Sequence, residues 1–171
     1  ENAKVINNDN STTNNTINFN FNDWDEEKLD HLLNNPNFIK MCLNNPINSI
    51  QFYLNNVNFD KDHPENKNIK ITNLLSPYMD YMKEGKWNKI EKNILLPKII
   101  KKSINTVDDI IDYNNEDSDD SDERFENLNT LKWNVYKSEI KKKNLKNKIF
   151  KKANRHIYNE TQDISDISQE T

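Results

Sequence analysis

The fold is decided by residues 59–87, FDKDHPENKNIKITNLLSPYMDYMKEGKW. A polar turn around Pro64 leads into a short strand pattern in which Ile69 and Ile71 share one face. A second alternating run follows and ends at Gly85, the only glycine in the chain, which is typical of a tight hairpin turn. Residues after the turn return as a partner strand. The stretch therefore predicts a small antiparallel sheet of two or three strands.

Helical patterns surround this predicted sheet. Short apolar repeats begin at Trp24 and stop before Pro36 and Pro46, which predicts a series of short N-terminal helices. A longer repeat from Ile90 to Tyr113 has three- and four-residue steps and predicts a long helix that covers the sheet. The predicted fold class is α+β and helix-rich, with N-terminal helices, a small antiparallel hairpin sheet, a long covering helix and a charged C-terminal helix.

Composition divides the chain into five segments. Residues 1–23 are rich in Asn and Thr and predict a linker or a pairing strand, and residues 24–113 predict a globular α+β domain. Residues 114–123 contain no apolar side chain and predict an acidic linker. Residues 124–158 predict a basic C-terminal helix, and residues 159–171 predict a disordered tail.

The overall composition indicates a polar protein with a limited core. The chain has 171 residues and a net charge of −4, and about one residue in five is Asn. The Asn excess is typical of an AT-rich genome, because Asn codons are AT-rich. No apolar run reaches the roughly 18 residues that a membrane span needs, and no signal peptide is visible, so we expect no membrane partner. Because the chain begins at Glu1 rather than Met, we expect a fragment or a processed product.

The sequence contains no motif of known catalytic chemistry. It lacks Gly-rich phosphate loops, a nucleophile elbow and a His-Glu-x-x-His helix, so it predicts no enzyme, no catalytic residue and no cofactor. The single cysteine, Cys42, allows neither an internal disulfide nor a Cys-based zinc site. Three histidines are far apart in the sequence and form no ligand-like pair: His31, His63 and His156. The sequence therefore predicts no metal site.

The end of the first segment alternates apolar residues with Asn. Ile17, Phe19 and Phe21 lie on one face of this pattern, which has the period of a half-buried strand. One interpretation is a disordered linker. The other is a strand that pairs with a neighbouring subunit, because a strand with one apolar face requires a partner. The second interpretation predicts a homo-oligomer.

A run of basic residues crowds the predicted C-terminal helix. Three interpretations stay open: a solvated or self-neutralised helix, a site for an acidic protein partner, and a site for nucleic acid. Because nearly all the cations are Lys, which neutralises phosphates without reading bases, nucleic-acid binding would be weak and non-specific. The candidate residues of this run are Lys141, Lys142, Lys143, Lys146 and Lys148.

The polar turn is a second candidate site. His63, Pro64, Glu65 and Asn66 form either the rigid start of the following strand or a recognition loop. Trp87 follows the hairpin turn, and we expect an aromatic residue that caps the core of the hairpin rather than a ligand platform.

The run Phe59-x-x-x-His63-Pro64-Glu65-Asn66 and the later Gly85-Lys86-Trp87 carry a family resemblance. The chain resembles, from about Asn14 to Tyr113, an uncharacterised domain near the C-terminus of proteins of amoeba-infecting giant viruses of the mimivirus type. In that family the domain often follows a C2H2 zinc finger and a coiled coil, and this sequence shows neither.

The resemblance implies a viral protein of the host cytoplasm, in the viral factory, or of the virion. With the residue patterns it supports a non-enzymatic interaction or assembly module, oligomeric or bound to another viral protein. The alternative is a non-specific nucleic-acid-associated protein that acts through the Lys-rich helix.

Overall fold

The computed structural model describes residues 20–33, 35–116 and 123–167, and it confirms the helix-rich α+β fold class. Two short 3₁₀ turns form at Pro46–Asn48 and Pro64–Asn66. In chain order the elements are α1 (Asp30–Leu33), α2 (Pro36–Asn44), α3 (Ser49–Asn56), β1 (Ile69–Lys70), β2 (Tyr78–Lys83), β3 (Lys86–Glu91), α4 (Lys92–Glu116), α5 (Glu123–Glu139) and α6 (Lys143–Ile167).

The predicted sheet forms with three antiparallel strands in the order β1-β2-β3. Ile69 pairs with Tyr81, and Met82 pairs with Trp87 across the hairpin. Both turn residues have positive φ, 53° at Glu84 and 67° at Gly85, which matches the right-handed twist of the two strands. Only glycine adopts such a φ without steric cost, and this explains the position of the single glycine.

Helix α4 lies at the centre of the molecule, where it contacts α3, α6 and β3. Its buried stripe follows the three- and four-residue steps of the sequence, and two isoleucines, one in β1 and one directly after it, are also buried. In the described part of the chain, none of the helices combines the length and the hydrophobicity that a membrane span requires. The stripe on α4 consists of Leu95, Leu96, Ile99, Val107, Ile110 and Ile111, and the isoleucines are Ile69 and Ile71.

The predicted helix from Trp24 is wrong. Residues 20–29 are irregular, and α1 has four residues. The reason is that this backbone bonds to distant elements instead of to itself: Trp24 N–H donates to the carbonyl of Met82, and Asn22 N–H donates to that of Glu65. A positive φ of 84° at Asp25 also breaks the helix.

The single basic helix predicted for residues 124–158 is also wrong. Two helices form, α5 and α6, with a turn at residues 140–142 between them. The turn lets both apolar stripes reach the core that α4 occupies, since Trp133 and Ile157 are both buried there. α6 continues to Ile167, so the predicted tail of residues 159–171 is helical over its first part. The middle of the predicted acidic linker, residues 117–122, lies outside the described residues.

Candidate functional site

A groove with a volume of about 790 Å³ lies between α4, the end of α5, the turn at residues 140–142 and the start of α6. Volumes between about 300 and 1,000 Å³ are typical of binding clefts. Its apolar wall consists of Pro97, Ile100, Ile104, Ile140, Ile149 and Phe150.

The sequence of α4 explains why this wall exists. Pro97, Ile100 and Ile104 follow each other at steps of three and four, so they form a second stripe beside the fully buried one. The buried stripe faces the core, whereas these three side chains are only partly buried. The turn after α5 then brings Ile140 to the same surface. The apolar surface of α4 is therefore wider than the part that the core of the described residues covers.

Four lysines and one aspartate line the groove. Lys137 forms an ion pair with Asp108, whose carboxylate also accepts a hydrogen bond of 3.0 Å from the indole N–H of buried Trp133. These contacts join α5 to α4, and they compensate the negative charge of Asp108 within the protein. The other lysines are exposed and have no ion-pair partner among the described residues: Lys101, Lys141 and Lys146.

An apolar wall beside unpaired cations favours one class of ligand. The lysine stems can lie along the apolar surface while their ammonium groups reach solvent. A ligand that fills this groove therefore carries apolar groups for the wall and negative charges for the three lysines.

The basic residues predicted from the sequence divide between different surfaces. Lys141 and Lys146 line the groove. Lys142 forms an exposed ion pair with Glu139, three residues before it, and Lys143 is exposed at the start of α6. Lys148 lies in a separate shallow hollow of about 390 Å³, together with Lys151, Lys152 and Arg155. The predicted run is therefore not a single surface.

Asn66 of the polar turn is fully buried. Its side-chain oxygen accepts hydrogen bonds from the side chain of Asn22, at 2.8 Å, and from the backbone N–H of Lys28, at 3.3 Å. Its amide group donates to the carbonyl of Lys28, at 3.1 Å. Pro64 begins the 3₁₀ turn that places Asn66 there. Asn66 thus anchors the N-terminal segment to the start of β1.

A buried polar cluster extends from Asn66 toward α4. The Asn68 amide donates to the Glu27 carboxylate at 2.9 Å, and the Asn58 amide donates to the side-chain oxygen of Asn68 at 3.0 Å. Glu27, with 1% of its side chain exposed, also forms an ion pair with Lys102. We call Glu27, Asn58, Asn66, Asn68 and Lys102 the polar cluster. Sequence reasoning attributed the Asn excess to codon composition and missed this structural use of Asn.

Trp87 and Phe21, which lie beside the hairpin turn, are outside the buried core. Trp87 is 38% exposed, and the Lys70 ammonium group lies 3.9 Å from the centre of its ring. The ring of Phe21 packs against Trp87, with 5.9 Å between centroids. Trp87 is therefore not the core aromatic that the sequence predicts. The other two residues of the predicted pairing strand, Ile17 and Phe19, lie outside the described residues.

Two of the three histidines lie together. His31 and His63 stack with 3.9 Å between ring centroids, so the expectation that no histidines pair is wrong. Cys42 is fully buried, and burial raises the pKa of its thiol to about 12, which makes it unreactive. His156 lies on α6, where its Nε2 is 2.6 Å from the side-chain oxygen of Asn55.

Comparisons of the chain with protein-family models, with curated proteins and with solved structures gave no match. The resemblance to the giant-virus domain therefore stays a prediction.

Proposed function

We propose that this protein is a non-enzymatic interaction module that binds an acidic, partly apolar segment of another viral protein. One observation carries the proposal: the groove places an apolar wall beside Lys101, Lys141 and Lys146, which have no ion-pair partner among the described residues. A carboxylate-bearing segment with apolar side chains complements both features at once.

The two features contribute differently to binding. Exposed ion pairs are worth about 0.2–1 kcal/mol each, so the three lysines alone give a weak site. Apolar area removed from water contributes about 25 cal/mol per Å², and the partly buried Ile100, Ile104 and Phe150 offer such area. The apolar wall thus supplies affinity, and the lysines orient the partner and speed its association.

The acidic segment of the chain itself does not satisfy both features. Residues 114–123 contain no apolar side chain, so they could neutralise the lysines but could not cover the wall. The partner must bring its own apolar residues. The resemblance to the giant-virus domain supports another viral protein as that partner, in the viral factory of the host cytoplasm or in the virion.

Self-association is a further part of the proposal. The sequence alternation of Ile17 and Phe19, continued at Phe21, supports a strand that pairs with a second copy. Phe21 itself packs against Trp87 in an irregular segment, so Ile17 and Phe19 carry this expectation. Sedimentation of the full chain should then give a larger species than that of a chain starting at Asp23. Identical masses at all concentrations would remove this strand from the proposal.

The rival function is non-specific binding of nucleic acid by α6. The specific observation in its favour is the exposure of Lys148, Lys151 and Arg155, which lie together away from the groove. Such a surface neutralises phosphates, and its affinity falls steeply with salt. It makes no use of the apolar wall, and this difference separates the two functions.

The test is a comparison of two fluorescein-labelled probes by anisotropy: an amphipathic peptide of Glu and Leu, and oligothymidine. We expect the peptide to bind at physiological salt, and Lys101→Gln and Lys146→Gln each to weaken it by up to about fivefold. The control is Lys148→Gln, which removes a lysine outside the groove and leaves peptide affinity unchanged.

The peptide with every Leu replaced by Ser isolates the apolar contribution, and we expect it to lose binding at physiological salt. The proposal is overturned if oligothymidine binds more tightly than the peptide at that salt concentration and Lys148→Gln weakens it. It is also overturned if the Leu and Ser peptides bind equally, because the apolar wall then has no part in recognition.

A further inference from the structure

Three side chains with metal-ligand chemistry meet between α1 and the segment that joins α3 to β1. His31 lies in α1, and Asp60 and His63 lie in the joining segment. Each offers one ligand atom, and these atoms lie within 4.8 Å of one another. We infer that His31, Asp60 and His63 form a binding site for a divalent transition-metal ion, for which Zn²⁺ is a suitable probe.

The hydrogen bonds of the two rings assign their lone pairs. Nε2 of His31 lies 2.6 Å from the carbonyl oxygen of Asn56, and Nδ1 of His63 lies 3.4 Å from the carboxylate of Glu65. Carbonyl and carboxylate oxygens only accept hydrogen bonds, so these two nitrogens carry the protons. The lone pairs are then on Nδ1 of His31 and Nε2 of His63. Metal-binding imidazoles in proteins are oriented in the same way, by a partner on the other ring nitrogen.

The carboxylate of Asp60 also has a supporting hydrogen bond. Its Oδ1 accepts a hydrogen bond of 2.9 Å from the backbone N–H of Asp62. Its Oδ2 lies 4.0 Å from Nε2 of His31, which is too far for a hydrogen bond and leaves this oxygen available to an ion. Asp60 and His63 therefore have a supporting contact on an atom other than the proposed ligand atom. The supporting contact of His31 uses Nε2, the ring nitrogen that lies 4.0 Å from Asp60, so the ring of His31 must turn to present Nδ1 to an ion.

The ligand set selects the kind of ion. Two imidazoles and one carboxylate suit Zn²⁺ and Fe²⁺, whereas Ca²⁺ and Mg²⁺ prefer oxygen ligands. Three protein ligands leave the fourth tetrahedral position to water. The side chains of His31, Asp60 and His63 are 20%, 23% and 31% exposed, so an ion can reach them from solvent.

Binding requires a local rearrangement. Ligand atoms about 2.0–2.1 Å from a tetrahedral zinc ion lie about 3.3 Å apart, so the three groups must draw together. The rings now stack with only 22° between their planes, and their lone pairs can converge on one ion only if the rings turn out of the stack. The ion would then cross-link the four-residue α1 to the polar turn. This site is independent of the groove and of the function proposed for it.

The test is titration of the full chain with ZnCl₂ while the ring protons of its three histidines are followed by NMR. We expect one ion per chain, and changes in the signals of His31 and His63 as their stack opens. His156 is the reference signal: it bonds to Asn55 and its ring packs against Phe59, next to Asp60, so its signals should shift much less than those of His31 and His63. Saturation at about 100 times the dissociation constant should raise the thermal midpoint by about 5–10 °C.

Variants then distinguish the proposed metal ligands from the residues that orient them. His63→Asn should abolish binding, and Glu65→Gln, which removes only the supporting carboxylate, should weaken it about tenfold. His156→Asn is the matched control and should bind zinc as the unmodified chain does. Circular dichroism establishes that each variant is folded. The inference is overturned if Zn²⁺ causes no change at His31 and His63, or if folded His63→Asn binds zinc with unchanged affinity.

Discussion

Lys101 and Lys102 are neighbours on α4, yet they lie in regions of opposite character. Lys102 belongs to the polar cluster, where it contacts the carboxylates of Glu27 and Asp25 and has 19% of its side chain exposed. Lys101 lies in the groove, exposed and without an ion-pair partner among the described residues. Successive residues of a helix point about 100° apart, which allows this difference between adjacent positions. The charge of Lys102 is paired within the polar cluster and stabilises the fold, whereas the charge of Lys101 in the groove is available to a partner.

The largest expected effect that tests this comparison is on stability in the polar cluster. Glu27→Gln leaves Lys102 paired with Asp25 alone, whose side chain is 64% exposed, and replaces an acceptor of two Asn hydrogen bonds by a group that also donates. Breaking a buried ion pair on one side costs about 3–5 kcal/mol, and we expect about 3 kcal/mol in the free energy of unfolding by urea.

Lys101→Gln is the matched control for Glu27→Gln. It removes a charge one position away from Lys102, at an exposed site, and should change the free energy of unfolding by less than about 0.5 kcal/mol. Equal losses in the two variants would show that the polar cluster and the groove do not differ in their structural use of charge.

A smaller effect is expected from the neutral part of the polar cluster. Asn66→Ala removes a fully buried amide that bonds to the side chain of Asn22 and to the backbone N–H and carbonyl of Lys28. Buried groups left without a hydrogen bond cost about 1–3 kcal/mol, and we expect a loss of about 2 kcal/mol in thermal or urea unfolding.

The control for Asn66→Ala is Asn147→Ala, which changes the same residue type at an exposed position of α6. Ala favours the helix over Asn by up to about 0.7 kcal/mol, so this variant should be slightly more stable than the unmodified chain. The two substitutions therefore differ in sign. A loss of stability in Asn147→Ala as large as that in Asn66→Ala would contradict the interpretation that the buried asparagines stabilise the fold.

The elements that the sequence predicts correctly are those whose signals are local. Gly85 marks the hairpin turn because a positive φ is required there, and the three- and four-residue steps of α4 mark its buried face. The break between α5 and α6 has no such signal, since residues 140–142 contain neither Gly nor Pro. It forms because Trp133 and Ile157 must both reach the core, and that requirement depends on the whole fold.

The candidate sites were predictable only in part, for the same reason. The density of lysines in residues 137–148 is visible in the sequence, but only the packing of α4 against α6 shows which of them border an apolar wall. His31 and His63 come together through α1, an element of four residues that follows the segment bonded to the polar cluster and buries Leu32 in the core. No periodic pattern in the sequence connects these two residues.

The smallest expected effect concerns pH and His156. Burial lowers the pKa of His156 below its ordinary value, and nearby Glu160, 3.9 Å from its Nδ1, opposes this only partly. The folded state therefore disfavours the charged imidazole of His156. In the unfolded chain the same imidazole has the ordinary histidine pKa of about 6.5. The stability of the neutral form is fully present above that pH and decreases as the pH falls through it toward the lower folded-state pKa.

We therefore expect the urea midpoint to decrease between about pH 7.5 and pH 5.5, and His156→Gln to decrease less over the same interval. Gln keeps a hydrogen-bonding group opposite Asn55 without a titrating charge, so the variant isolates the proton. Asp23 does not interfere, because hydrogen bonds from the backbone N–H groups of Glu84 and Gly85 lower its pKa and move its titration to more acidic conditions. Equal slopes for the two chains would mean that His156 is protonated as readily in the folded state as in the unfolded one, and its burial would then have no effect on acid stability.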